Sequence, residues 1–348
     1  MKQIGRFAPI GIVLAIVFSL LYVSISRRPP IEVDSGARMV MGTFSRVVVI
    51  ARSERTANAC IKAAFDVQER IETLMSYHRE NSELNQVNHY AAQKAMQVNP
   101  MTFEVIRQAV RFSELSDGAF DVTVGPLVDL WKAAGEANEP PSDEALAEAK
   151  RKVGYQKLIL DDKAATVRFA EEGMRIDLGG IAKGYAVDKS VEAMQKLGAR
   201  GGMVDLGGNI RCFGLAPRGQ EKWRIGLQDP NVAPDDFDGS RYLLVLEIAD
   251  ESVATSGDYR RFSVVKGEKE SHIVDTHSGK GANKLVSDTI IAPDATTADA
   301  LSTAVNVLGP EAGMALIERL PSVEAILIPA GRQNTLLYSS GAHKYVSE

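Results

Sequence analysis

Three groups of residues have the types and spacing to do chemistry. The first runs from Arg175 to Asp188 and reads RIDLGGIAKGYAVD. Here a short apolar strand breaks at Gly179-Gly180 and a helix begins. Paired glycines let backbone come close to a ligand, and the first helical turn offers unpaired N–H groups and a positive dipole end. With Lys183 as a mobile cation and Asp177 just before the turn, a phosphate-bearing ligand suits the segment. Neither common nucleotide fingerprint applies, because Gly184 is followed by Tyr185 and no G-x-G-x-x-G occurs at this turn. A Gly-rich turn that merely starts a helix packed on a sheet is the plainer alternative.

The second group lies in TTADALSTA, residues 296–304, where Asp299 and Thr303 stand four apart and share one helix face. A carboxylate and a hydroxyl with a backbone carbonyl suit a hard ion such as Mg²⁺, which binds beside phosphates; alternatively, both residues cap the helix or face solvent. The third group pairs SVATSGDY, residues 252–259, with SHIVD, residues 271–275. His272, at a hairpin end, has the chemistry of a proton acceptor, although a lone histidine is more often structural. The other four of the five histidines, at 78, 89, 277 and 343, show no metal-ligand spacing with it, which argues against zinc.

The elements that must position these groups are legible in outline. Met39 to Ala51 reads as a strand, and Ser53 caps a helix over 54–75. MSYHRENSELNQVN, residues 75–88, reads as a polar connector with a short helix capped by Ser82. Asn99-Pro100 starts a helix to Leu115, FDVTV reads as a strand before a short helix, and Ser142 begins another helix. A hairpin over 157–169 turning at Asp161-Asp162 precedes the central motif. Beyond it come strands over 201–210, 211–216, 223–228, 242–248, 260–265, 271–276 and 286–292. Helices over 297–308 and 311–320 follow, with strands over 323–329 and 335–338. Long helices among antiparallel strands, with no internal repeat, predict one α+β domain.

The 348 residues, 45% hydrophobic and 24% charged, suffice for one large domain or two small ones. A net charge of -5 argues against nucleic acid as a partner. The two cysteines, Cys60 and Cys212, fall in a predicted helix and a predicted strand and read as packing residues. Phe7 to Ile25 is an uncharged apolar run near the length of about 20 residues that spans a bilayer. Basic residues flank it on both sides, so charge does not choose an orientation. Residues 1–28 therefore form a membrane anchor or signal segment, an uncleaved anchor being favoured, with 29–37 as a linker and 38–348 as the exported domain.

MGTFSRVVV, MSYHRENSELNQVN, GAFDVTVGPLVDLW, DLGGIAKGYAVD, DLGGNI, SVATSGDYRRF, HIVDTHSG and TADALSTAVNVLG occur in this order, over about residues 38–330. The set resembles the ApbE family, the FAD:protein FMN transferases. The resemblance implies an α+β fold of the ApbE/T-fold-like type, and Mg²⁺-dependent transfer of FMN from FAD to a threonine or serine hydroxyl of an acceptor flavoprotein, releasing AMP. It implies FAD contacts from Met41, Tyr77, Ala119, Phe120, Asp121, Asp177, Lys183 and Ile273, and metal ligation by Asp299, Thr303 and the Gly180 carbonyl. His272 would be the base, with Asp258 as helper.

The resemblance also implies an acceptor that is a subunit of a membrane redox complex, and a domain facing the periplasm from the bacterial inner membrane. Many relatives are lipoproteins, whereas no cysteine follows the apolar run here. Thr276-His277 stands where relatives often place a proline-containing turn, so a small loop change is expected there. Two other readings fit the same residues: an FAD pyrophosphatase yielding FMN and AMP, and a periplasmic protein that holds FAD without chemistry.

Overall fold

The run Val47 to Ala51 is uniformly apolar for a structural reason. Val47, Val49 and Ala51 join one buried cluster, while Val48 and Ile50 join another. Side chains alternate between the faces of a strand, so a strand buried on both sides needs a layer on each. The computed structural model, which describes residues 29–230, 242–257, 262–332 and 335–347, supplies both layers.

In chain order the strands are β1 (Ile31–Val40), β2 (Thr43–Ala51), β3 (Met96–Gln97), β4 (Leu158–Asp161), β5 (Thr166–Phe169), β6 (Gly201–Leu206), β7 (Asn209–Gly214) and β8 (Trp223–Gln228). They continue with β9 (Tyr242–Ile248), β10 (Ser252–Gly257), β11 (Phe262–Val265), β12 (Glu268–Ser271), β13 (Leu285–Ala292), β14 (Glu324–Pro329) and β15 (Leu337–Tyr338). The main sheet has eight strands in the order β1-β2-β6-β7-β10-β13-β14-β15, every pair antiparallel.

The helices are α1 (Glu54–Met75), α2 (Glu83–Tyr90), α3 (Pro100–Leu115), α4 (Gly125–Ala137), α5 (Asp143–Arg151), α6 (Ala182–Lys196), α7 (Ala295–Leu308) and α8 (Pro310–Ile317). One face of the sheet carries α1, α6 and α7 over the larger cluster. The other is covered by the β8–β9 hairpin and the turn Ala342–Tyr345. Ser53, Ser82, Asn99 and Ser142 cap their helices as expected, and Cys60 and Cys212 are free and buried.

Four expectations need correction. The stretch read as a linker to Ala37 belongs to β1, which pairs with β2 around a turn at Met41-Gly42. Its sequence IEVDSGARMV hides this because β1 is an edge strand with mostly exposed side chains, so no apolar period marks it. FDVTV is not a strand, since the Asp121 carboxylate accepts from the Thr123 N–H, the Thr123 hydroxyl and the Tyr155 N–H, and only the isolated bridge Val124–Arg175 remains. The strand expected before Gly179 is likewise absent. There the Asn88 side chain takes the part of a neighbouring strand, accepting from the Ile176 N–H and donating to its carbonyl.

The strand expected over 271–276 also stops early, at Ser271, because Asp275 accepts from the His277 N–H and folds the chain into a turn. The apolar run 7–25 lies outside the described residues. Among those described, no helix is long and apolar enough to cross a membrane.

Candidate functional site

The groove starts at the β1–β2 turn, where Met41 sits at a φ of 50°. Met41, Tyr77, Asp177, Gly179 and Lys183 line a cavity of about 540 Å³ together with Glu72, His78 and Arg79. A second hollow of about 140 Å³ shares Asp177, Gly179 and Lys183 with the first. Ala119, Phe120, Asp121, Gly180, His272, Ile273, Asp299 and Thr303 line it, and so does Ser256. Every site residue expected from the sequence thus lines one of two hollows that share three residues, except Asp258, which lies outside the described residues.

Lys183 stands where the hollows meet. Its Nζ donates to the Gly179 carbonyl at 2.8 Å and reaches Asp299 Oδ1 at 3.4 Å. The Asp177 carboxylate accepts from the Gly179 N–H at 2.8 Å and holds the glycine turn in shape. Burial raises the Asp177 carboxyl above its ordinary range, opposed by that N–H and by the charges of His78 and Lys183.

Asp299 Oδ2 accepts from the Gly184 N–H at 2.9 Å, so a buried carboxylate already occupies part of the start of α6. The expectation of a helix end offering unpaired N–H groups to a ligand is corrected to that extent. What the motif presents to the groove is the Lys183 ammonium and glycine backbone. Gly184 makes the arrangement possible, because a Cβ there would stand 2.1 Å from the Ala295 carbonyl oxygen and push α6 off α7.

The ApbE family profile matches residues 41–327 of this chain. The chain belongs to the ApbE family. The FAD:protein FMN transferase of Treponema pallidum is 33% identical over 342 residues, covering 94% of this chain and 92% of the relative. That of Vibrio cholerae is 33% identical over 309 residues, covering 88% and 90%. The crystal structure of the ApbE protein from Thermotoga maritima superposes with a TM-score of 0.79 at 32% identity, covering 92% of this chain and all of the other. The flavin transferase ApbE from Vibrio cholerae superposes at 0.76 and 30%, covering 91% of this chain and all of the other. The single α+β domain is therefore the ApbE fold.

Whether this ApbE-family groove suits a hard cation depends on its oxygen donors. Asp299 is 5% exposed, the Thr303 hydroxyl lies one turn further along α7, and a Cβ on Gly180 would stand 2.9 Å from Thr303 Oγ1. A carboxylate, a hydroxyl and glycine backbone therefore share one corner, which fits Mg²⁺ with water completing the shell. Among the described residues no group of three or more His, Cys, Asp or Glu is placed to hold a metal ion.

Other residues escaped the sequence reading. The Tyr77 hydroxyl donates to Asp129 at 2.8 Å, Arg175 pairs with Asp129 at 2.5 Å, and the Arg175 guanidinium lies 4.9 Å from the centre of the Tyr77 ring. Burial and the Asp129 carboxylate push the Tyr77 phenol far up, so it stays a donor. Both Asp129 and Arg175 lie inside quoted motifs, but the partnership spans distant segments. Asp121 lines the smaller hollow, with one carboxylate oxygen accepting from Thr123 in its own loop and the other from the distant Tyr155 N–H.

Proposed function

We propose that this chain transfers FMN from FAD to a threonine or serine hydroxyl of an acceptor protein and releases AMP. The observation that carries the reading is that the two hollows share Asp177, Gly179 and Lys183 as lining residues. An extended dinucleotide needs two compartments with a cation between them for its pyrophosphate, and Lys183 stands at that junction. In the reaction the acceptor oxygen bonds to the phosphorus of the FMN half, the P–O–P bridge breaks, and AMP leaves with the electron pair.

The acceptor proton goes to His272, which is exposed and lines the smaller hollow. Asp258 is the candidate helper of this base. Asp299, Thr303 and the Gly180 carbonyl would hold Mg²⁺, which when bound neutralises pyrophosphate charge and stabilises the leaving phosphate. Lys183, beside Asp299, would hold the same phosphates, and Tyr77 lines the larger hollow.

Residues 1–28 are proposed to anchor the chain in the bacterial inner membrane with the catalytic domain in the periplasm. The acceptor would be a flavin-carrying subunit of a membrane redox complex. The test mixes the full-length protein in detergent with FAD, Mg²⁺ and the soluble domain of such a subunit. Covalent flavin is read by in-gel fluorescence and AMP by chromatography. Fluorescent acceptor with equimolar AMP is the expected result; AMP and FMN without label favour the pyrophosphatase, and intact bound FAD favours a storage protein.

A further inference from the structure

Asp288 and Asp129 are carboxylates that the reaction described above leaves without a part. Asp288 is buried between the sheet and α7, where the Ser302 hydroxyl and the Asn306 amide satisfy it. Asp129 on α4 differs, because what it holds is a wall of the larger hollow. The Tyr77 hydroxyl donates to Asp129 Oδ1 at 2.8 Å, and the Gly125 carbonyl is a second, more distant acceptor at 3.3 Å. Arg175 Nη1 donates to the other oxygen of Asp129 at 2.5 Å. The Arg175 guanidinium in turn lies over the Tyr77 ring, 4.9 Å from its centre. The three side chains therefore close a loop, from phenol to carboxylate to guanidinium and back to the aromatic face.

Each corner of the loop is fixed from a different segment. Asp129 rides on α4. Arg175 is bridged to Val124, an approach that Gly125 permits, because a Cβ there would stand 2.8 Å from both Arg175 Cβ and the Arg175 carbonyl oxygen. The Tyr77 carbonyl accepts from the side-chain amide of Asn85 on α2 at 2.9 Å, and Asn85 is buried. A tyrosine side chain turns about two torsions, and here the tethered hydroxyl and the cation over the ring restrain both. Tyr77 lines the larger hollow, whereas neither Asp129 nor Arg175 is among the residues lining either hollow. The pair therefore reaches a ligand through the tyrosine.

We propose that Asp129 and Arg175 are positioning residues that hold the Tyr77 ring as a preset flat platform for one of the two aromatic ring systems of FAD. The proposal rests on the flavin-transfer reading for its ligand. A ring fixed before FAD arrives removes an ordering cost from binding, and its flat surface favours a flat heteroaromatic partner in offset stacking. In that reading the phosphates are held by Lys183 and the Asp299 corner, so the platform contributes equally before and during the chemical step. Its loss then weakens binding and leaves the bound complex to react at the same rate.

The full-length protein in detergent is titrated with FAD, and transfer to the acceptor domain is followed in Mg²⁺. Asp129→Ala and Arg175→Ala should each weaken FAD binding and raise its KM about fivefold, with kcat at saturating FAD within about twofold of wild type. Tyr77→Phe, which keeps the ring and removes the tether, should weaken FAD binding to a similar extent. In a Tyr77→Ala background, which has no ring to position, either substitution should add under about twofold. Full additivity in that background, or wild-type affinity in Asp129→Ala, would overturn the proposal. If Asp129→Ala does not fold, Tyr77→Phe tests the same tether, and wild-type affinity there refutes it. FMN and AMP titrated singly locate the platform: in Asp129→Ala the half of FAD whose ring meets Tyr77 should lose about fivefold, while the other keeps its affinity. Equal losses in both halves would mean a distorted hollow and would refute a platform for one ring. Wild type that binds FAD but labels no acceptor would count against the flavin-transfer reading alone, since the binding measurements still judge the platform. Wild type that binds no FAD would overturn both.

Discussion

Lys183 Nζ and Asp299 Oδ1 stand 3.4 Å apart although 116 residues separate them in the chain. The pair marks the place where α6 crosses α7. The same carboxylate takes the Gly184 N–H at the start of α6, where the helix dipole favours negative charge. Both oxygens of Asp299 thus have protein partners, and one of these, Lys183, lines the same hollow as the carboxylate itself.

Replacing Asp299 by Ala should abolish turnover, by at least about a hundredfold, and make the residual rate insensitive to Mg²⁺. A titration of activity against Mg²⁺ checks it. A variant that keeps the wild-type rate and the wild-type Mg²⁺ curve would remove Asp299 from the metal corner.

His272→Ala should leave FAD affinity within about twofold and slow transfer by roughly 10²–10⁴, the usual worth of a positioned base. Equilibrium binding by flavin fluorescence and single-turnover labelling of the acceptor separate the two effects. Loss of FAD binding in this variant would make His272 part of the groove wall instead of the chemistry.

The motifs foretold the groove better than the periodicity foretold the elements around it. Lys183, His272 and Asp299 were read from local chemistry and Met41, Tyr77 and Phe120 from the family resemblance; the six come from separate segments and line two hollows that share Asp177, Gly179 and Lys183. The edge strand β1 was missed because it buries too little to show an apolar pattern. The strand expected at Arg175 to Leu178 failed for the opposite reason. Its backbone is satisfied partly by the Asn88 side chain, which no periodicity in its own segment encodes. Asp129 with Arg175 and Asp288 with Ser302 become partners only once distant segments pack, so the sequence names the residues and not the relation.

Gly184→Ala should separate α6 from α7. The added methyl would meet the Ala295 carbonyl at 2.1 Å and Asp299 Cβ at 2.8 Å, and backbone cannot move aside as a flexible side chain can. Overpacking of this kind costs roughly 1–3 kcal/mol. Denaturant unfolding should show that loss, and FAD affinity should fall with it because Lys183 and Asp299 ride on the two helices. Full stability together with full affinity would mean that the crossing has slack the geometry does not reveal.

Asp288 gives a prediction about stability and pH. Its carboxyl is raised to about 7 in the folded chain from an ordinary 3.8, so the folded state holds a proton that the unfolded state has released. The stabilisation from that proton is complete below the unfolded value, declines as pH rises, and is gone once pH passes the folded value. Asp288→Asn cannot titrate at this position and serves as the reference that cancels every other group. Between pH 5 and pH 8 the wild type should therefore lose about 3 kcal/mol relative to the variant. Urea unfolding of both proteins at the two pH values measures the difference directly. A constant gap between them would show that Asp288 is ionised throughout, with its burial compensated by something other than Ser302 and Asn306.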